Sequence, residues 1–99
     1  MLKTYPDVIS SLKVPFEQIY TEHHKQLAKW GTQKVTLFEW HNYLSEEVGE
    51  LAKAIADFEY GRDKGELITE EATQVAALAV KIMLLADSWC KGKKNDVTK

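Results

Sequence analysis

Leu44-Ser45-Glu46-Glu47-Val48-Gly49-Glu50-Leu51-Ala52-Lys53-Ala54-Ile55 sets three glutamates inside an apolar helical repeat. At about 100° per residue, Leu37, Leu44, Val48, Leu51 and Ile55 fall on one stripe of a helix. Glu47 lies at the edge of that stripe, Glu50 about 60° further round on the same side, and Glu46 beyond it. Surface glutamates ordinarily point away from an apolar face; Glu47 does not.

A second segment, Glu70-Glu71-Ala72-Thr73-Gln74-Val75-Ala76-Ala77-Leu78-Ala79-Val80, repeats the arrangement. Its stripe includes Ile68, Val75, Leu78 and Ile82, with Glu71 inside it and Gln74 one turn on. If two such helices pack through their stripes, Glu47, Glu50, Glu71 and Gln74 converge in one partly buried place. Several buried carboxylates without a countercharge are very costly. The pattern therefore calls for a positive partner, and oxygen ligands favour a hard divalent cation.

Around these two segments the chain reads as helical throughout. Pro15 suits the first turn of a helix, and Phe16, Ile19, Tyr20, His23, Leu27 and Trp30 recur at helical spacing up to Gly31, a helix terminator. Thr36 with Glu39 forms a capping-box pattern opening a second helix from about Leu37 to Tyr60. Gly61-Arg62-Asp63-Lys64-Gly65 is a turn. Thr69 is the expected cap of a third helix, with Glu66 as an earlier start, running to about Cys90; Gly92 and the lysine-rich end are expected to fray. No segment alternates like a strand. The expected fold is an all-α domain over residues 1–99, with three main helices and peripheral segments at 1–14 and 91–99. The bundle is completed by oligomerisation, because three wide apolar faces in a short chain are better buried between copies.

Ninety-nine residues suffice for one domain, and 44% hydrophobic residues exclude general disorder. A net charge of −2 argues against a nucleic-acid polymer as partner. One cysteine, Cys90, precludes an internal disulfide and fits a reducing compartment. The apolar run Val75–Val80 is too short to cross a bilayer, and no signal peptide opens the chain. A cytoplasmic, membrane-independent protein is expected.

Glu-Glu-x-x-Glu alone is a weak motif, since glutamate is a common helix former on surfaces. A dinuclear iron bundle would require Glu-x-x-His, and Gln74 stands three residues after Glu71. His23, His24 and His41 lack zinc spacing, and no phosphate-binding glycine loop is present. Trp30, in Ala28-Lys29-Trp30-Gly31-Thr32-Gln33, has two readings: a plug for the bundle end, or a stacking surface for a base, with Lys29 facing phosphate and Gln33 hydrogen-bonding.

Three ordered blocks, Ala28-Lys29-Trp30-Gly31-x-Gln33, Ser45 to Ala54 and Glu70 to Ala77, resemble the MazG-like all-α nucleoside triphosphate pyrophosphohydrolases, in their short single-domain branch. The resemblance covers the middle two-thirds of the chain. It implies cleavage of a (deoxy)nucleoside triphosphate between the α and β phosphates, with Mg²⁺ (or Mn²⁺) as cofactor, in a dimer or tetramer. Carried over, Glu47, Glu50 and Glu71 correspond to metal ligands, and Glu46, with Glu47, to the carboxylates that activate water. The family pattern has aspartate where this chain has Gln74, whose carbonyl can ligate a hard cation without adding charge. Lys29, Trp30, Gln33 and Lys53, all within these blocks, are the candidate substrate-binding residues. A non-catalytic nucleotide- or metal-binding helical oligomer is the alternative.

Overall fold

The computed structural model describes residues 9–31 and 35–97, apart from the side chains of Trp30, Trp89 and residues 91–97. Three helices carry the fold: α1 Lys13–Trp30, α2 Leu37–Glu59 and α3 Ile68–Val97. No strand occurs among the described residues. The class is all-α, as the periodicity predicts, and no described helix is long and apolar enough to cross a membrane.

The helix ends follow local chemistry. Pro15 sits in the first turn of α1, where its missing N–H removes no intrahelical bond. Gly31 stops the helix at φ 66°, its N–H donating to the Leu27 carbonyl at 2.7 Å. The Thr36 capping box forms as expected: the Glu39 N–H donates to Thr36 Oγ1 and the Thr36 N–H donates to Glu39 Oε1, both at 3.1 Å. The turn after α2 is fixed by Arg62 pairing with Asp57 at 3.1 Å and by the Gly65 N–H donating to Asp63 Oδ1 at 2.7 Å. Gly65 has φ 77°, and a Cβ there would stand 2.9 Å from the Phe58 ring.

Two expectations at the ends of α3 need correction. Thr69 does not cap it: the helix is under way at Ile68, and Glu71 N–H already bonds the Leu67 carbonyl at 2.9 Å. The tight Gly65 turn delivers the chain into helical geometry before Thr69 is reached. At the other end α3 runs on to Val97 rather than stopping near Cys90. A single glycine inside a helix costs only about 1 kcal/mol, and the flanking lysines are good helix formers suited to a C-terminus.

Both main interfaces involve α3, against α2 and against α1, whereas α1 and α2 make little contact with each other. Contacts set the directions. Val14 and Glu17 share a cavity wall with Thr69 and Gln26 meets Lys81, so α1 lies alongside α3 in parallel; Glu47 meets Gln74 and Phe58 meets Gly65, so α2 is antiparallel to it. Central α3 can serve two neighbours because its apolar residues spread over more than one side. The open angle between α1 and α2 becomes a cavity floored by α3.

Trp40, Ala54, Ala77 and Leu78 form the small buried apolar core. On α2 this moves the inward face from where the aliphatic stripe centres. Trp40, Ala54 and Glu47 share one side, while Val48 and Ile55 stay exposed. The reason is packing volume. Indole burial against α3 outweighs burial of two aliphatic side chains, and rotating α2 toward Trp40 takes Glu47 inward with it.

Candidate functional site

Each helix contributes one wall to a cavity of about 560 Å³. From α1 come Glu22, Lys25, Gln26 and Lys29; from α2, Trp40, Tyr43, Glu46 and Glu47; from α3, Glu70, Gln74 and Leu78. Its chemistry is divided along the α3 axis. Glu46, Glu47, Glu70 and Gln74 gather at the end nearer the α2–α3 turn, while Glu22 stays with Gln26. Trp40, Leu78 and Gln26 lie toward the other end, where Lys81 is anchored seven residues beyond Gln74, about 10 Å along the helix.

At the acidic end, the two stripes bring Glu47 and Glu71 together, and Gln74 joins them. In the orientation that satisfies its partners, the Gln74 amide nitrogen donates to Glu47 Oε2 at 2.8 Å and to Glu71 Oε2 at 3.1 Å. Burial pushes the Glu47 carboxyl above its usual range, and the neighbouring Glu71 charge, with a hydrogen bond between the two side chains, pushes the same way; Glu50 and Glu46 add to it. Two partly buried carboxylates are thus bridged by a neutral donor. An aspartate at 74 would bring a third negative charge and no donor.

Among the described residues, no three His, Cys, Asp or Glu side chains converge at metal-holding spacing. Two carboxylates and an amide carbonyl do suit Mg²⁺, which is commonly held by one or two carboxylates plus substrate phosphates and water. The strained Glu47–Glu71 contact is the observation that fits, since a cation would relieve it.

The remaining sequence-derived residues divide. Lys29 and Glu46 line the cavity with Glu47 and Gln74, whereas Glu71 does not line it and meets it only through its contact with Gln74. Glu50 and Lys53 are exposed and line no part of it, although Glu50 is near enough to act on Glu47 through its charge. The Trp30 side chain and Gln33 lie outside the described residues.

At the other end stands a network that motif reading missed. Gln26 is only 4% exposed. Its Nε2 donates to Glu22 Oε2 at 3.2 Å, and its Oε1 accepts from Lys81 Nζ at 3.0 Å. Lys81 also sits 5.0 Å from the centre of the Trp40 ring, a cation–π contact. Burial draws the Lys81 pKa downward, and the Glu22 charge opposes that shift. Trp40 meets Tyr43 edge-on at 5.7 Å, and its indole N–H is buried with no protein acceptor. One signal was available in the sequence: Lys81 interrupts the apolar run between Val75 and Leu85. A lysine on a packing helix demands an acceptor.

No protein-family profile, curated protein or solved structure matches this chain.

Proposed function

We propose that this protein is a Mg²⁺-dependent (Mn²⁺ as substitute) nucleoside triphosphate pyrophosphohydrolase, releasing pyrophosphate and a nucleoside monophosphate. One observation carries the reading: Glu47 and Glu71, from different helices, share a partly buried contact with Gln74, and Glu47 and Gln74 in turn line the acidic end of a cavity of about 560 Å³. The cavity joins two environments that a nucleotide requires, a polar end for phosphates and a partly apolar one for a base.

Glu47 and Glu71 would hold the cation, with the Gln74 carbonyl turned to it as an additional ligand. When bound, the cation supplies neutralisation of phosphate charge and acidification of an attacking water. Glu46, on the cavity wall with Glu47, would accept that water's proton. Lys25 and Lys29, on the α1 wall of the same cavity, can steer and balance the phosphate chain. A cysteine or serine nucleophile has no part in this scheme.

The assembly is proposed to be a homo-oligomer, dimer or tetramer. Phe16, Tyr20 and Leu27 on α1 and Met83 and Leu84 on α3 are large apolar side chains left exposed, and apolar surface on this scale is uncommon on monomers. Light scattering at micromolar concentration should give a multiple of the chain mass; a single-chain mass would refute the assembly.

The function is tested by screening canonical and modified nucleoside triphosphates for pyrophosphate release with Mg²⁺ or Mn²⁺. Cation-dependent pyrophosphate and monophosphate in equal amounts are expected. Nucleotide binding with no turnover on any substrate would favour the non-catalytic reading.

A further inference from the structure

A buried glutamine amide ordinarily has two orientations of similar shape, related by exchange of oxygen and nitrogen. Gln26 does not have that freedom. One side of its amide faces the Glu22 carboxylate, which can only accept; the other faces the Lys81 ammonium, which can only donate. Turning the amide over would set N–H against ammonium and carbonyl against carboxylate. Both present contacts involve a charged partner, the stronger class of hydrogen bond. Lys81 is itself held over the Trp40 ring, so the clamp is attached to the core.

An amide has two N–H groups and two oxygen lone pairs. The clamp uses one of each, which leaves one N–H and one lone pair for whatever enters the cavity that Gln26 lines. Beside it are Leu78 and Trp40, the apolar part of the wall. Glu46, Glu47, Glu70 and Gln74 line the other end.

We propose that Gln26 reads the nucleobase, and that Glu22 and Lys81 lock its amide in one sense so that the cavity distinguishes oxo bases from amino bases. Uracil, thymine and guanine present a carbonyl beside a ring N–H. Cytosine and adenine present an amino group beside a bare ring nitrogen. A freely turning amide pairs with either pattern, whereas a locked one matches one and opposes the other. Lys81 is then a positioning residue: it acts on the base only through Gln26. The inference rests on the nucleotide reading above and assigns a base-recognition element to the same cavity.

The test uses monophosphates, without cation or turnover, so that its failure and that of the catalytic reading are separable. Binding of dUMP against dCMP, and of dGMP against dAMP, is measured by calorimetry on the full chain. The parent should prefer one member of at least one pair by about tenfold or more, since unpaired buried polar groups penalise the wrong partner. Lys81→Met, which releases the amide, should bring the ratio within about threefold, and Gln26→Met should do the same. The paired reversal Glu22→Lys with Lys81→Glu should invert the preference. Circular dichroism identifies any variant that fails to fold; the two methionine variants are independent, so either suffices. Equal binding within both pairs by the parent, no binding of any monophosphate, or an unchanged preference in a folded Lys81→Met or Gln26→Met protein would overturn the proposal. Pyrophosphate release with no clamp-dependent preference would leave the hydrolase standing alone; clamp-dependent binding without release would do the reverse.

Discussion

Two glutamines face one cavity, and their neighbours give them opposite properties. Gln26 lies between a carboxylate and an ammonium, held at both its nitrogen and its oxygen. Gln74 lies between two carboxylates and is held by its nitrogen alone in those contacts. The first arrangement is charge-balanced and resists turning. The second is a neutral stopgap in a place short of positive charge, and an incoming cation would favour turning the carbonyl inward. The same side chain thus serves as a fixed element at one end of the cavity and an adaptable one at the other. The partners decide which.

The contrast is sharpest in metal-free stability. Gln26→Met removes a buried amide and takes their shared partner from the half-buried Glu22 and Lys81, and should lower unfolding free energy by about 1–3 kcal/mol. Gln74→Met should lower it less, by about 1 kcal/mol or under, because Gln74 is itself only half-buried and water can take its place beside the carboxylates. Urea denaturation in the presence of a chelator measures both. Equal losses would erase the distinction between the two ends.

Gln74→Asp comes next in size. It replaces the bridging donor with a third negative charge and should lower metal-free stability by about 1 kcal/mol, while tightening Mg²⁺ binding. Denaturation with chelator and then with Mg²⁺ should therefore move in opposite directions. A variant destabilised under both conditions would mean that position 74 is a packing position only.

The smallest effect is a pH dependence. The folded Glu47 carboxyl has a raised pKa, so the folded chain holds this proton more tightly than the unfolded chain. The resulting stabilisation is complete below the ordinary glutamate range and is lost as pH rises through the raised value. Metal-free melting temperature should accordingly fall across that interval, and Glu47→Gln, neutral at every pH, should flatten the fall. Identical profiles for parent and variant would show that the contact with Glu71 carries no strain.

Much of this arrangement is legible in the sequence, and the unequal legibility has physical causes. Helices announce themselves through apolar periodicity and caps, so α1 and α2 and the inward placement of Glu47 and Glu71 follow from residue spacing. Which side of an apolar stripe becomes most buried is a matter of tertiary volume. Trp40 draws α2 round, exposing Val48 and Ile55 and leaving Glu50 off the cavity wall. The Gln26 clamp is less legible, because Lys81 lies 55 residues from Gln26 and the Glu22–Gln26 pair alone resembles an ordinary surface pair. Only the parallel packing of α1 on α3 brings Lys81 to Gln26.

The central claim is that the Glu47–Glu71 contact is the seat of the chemistry. Pyrophosphate release by Glu71→Gln, with Mg²⁺ and the best triphosphate substrate of the parent, tests it most directly. The account predicts a loss of about a hundredfold or more, as several kcal/mol of metal-assisted charge stabilisation disappear. Metal-free stability should be unchanged or higher, because a like-charge contact has been relieved. Parental turnover in a folded Glu71→Gln protein would contradict the account and put the active centre elsewhere.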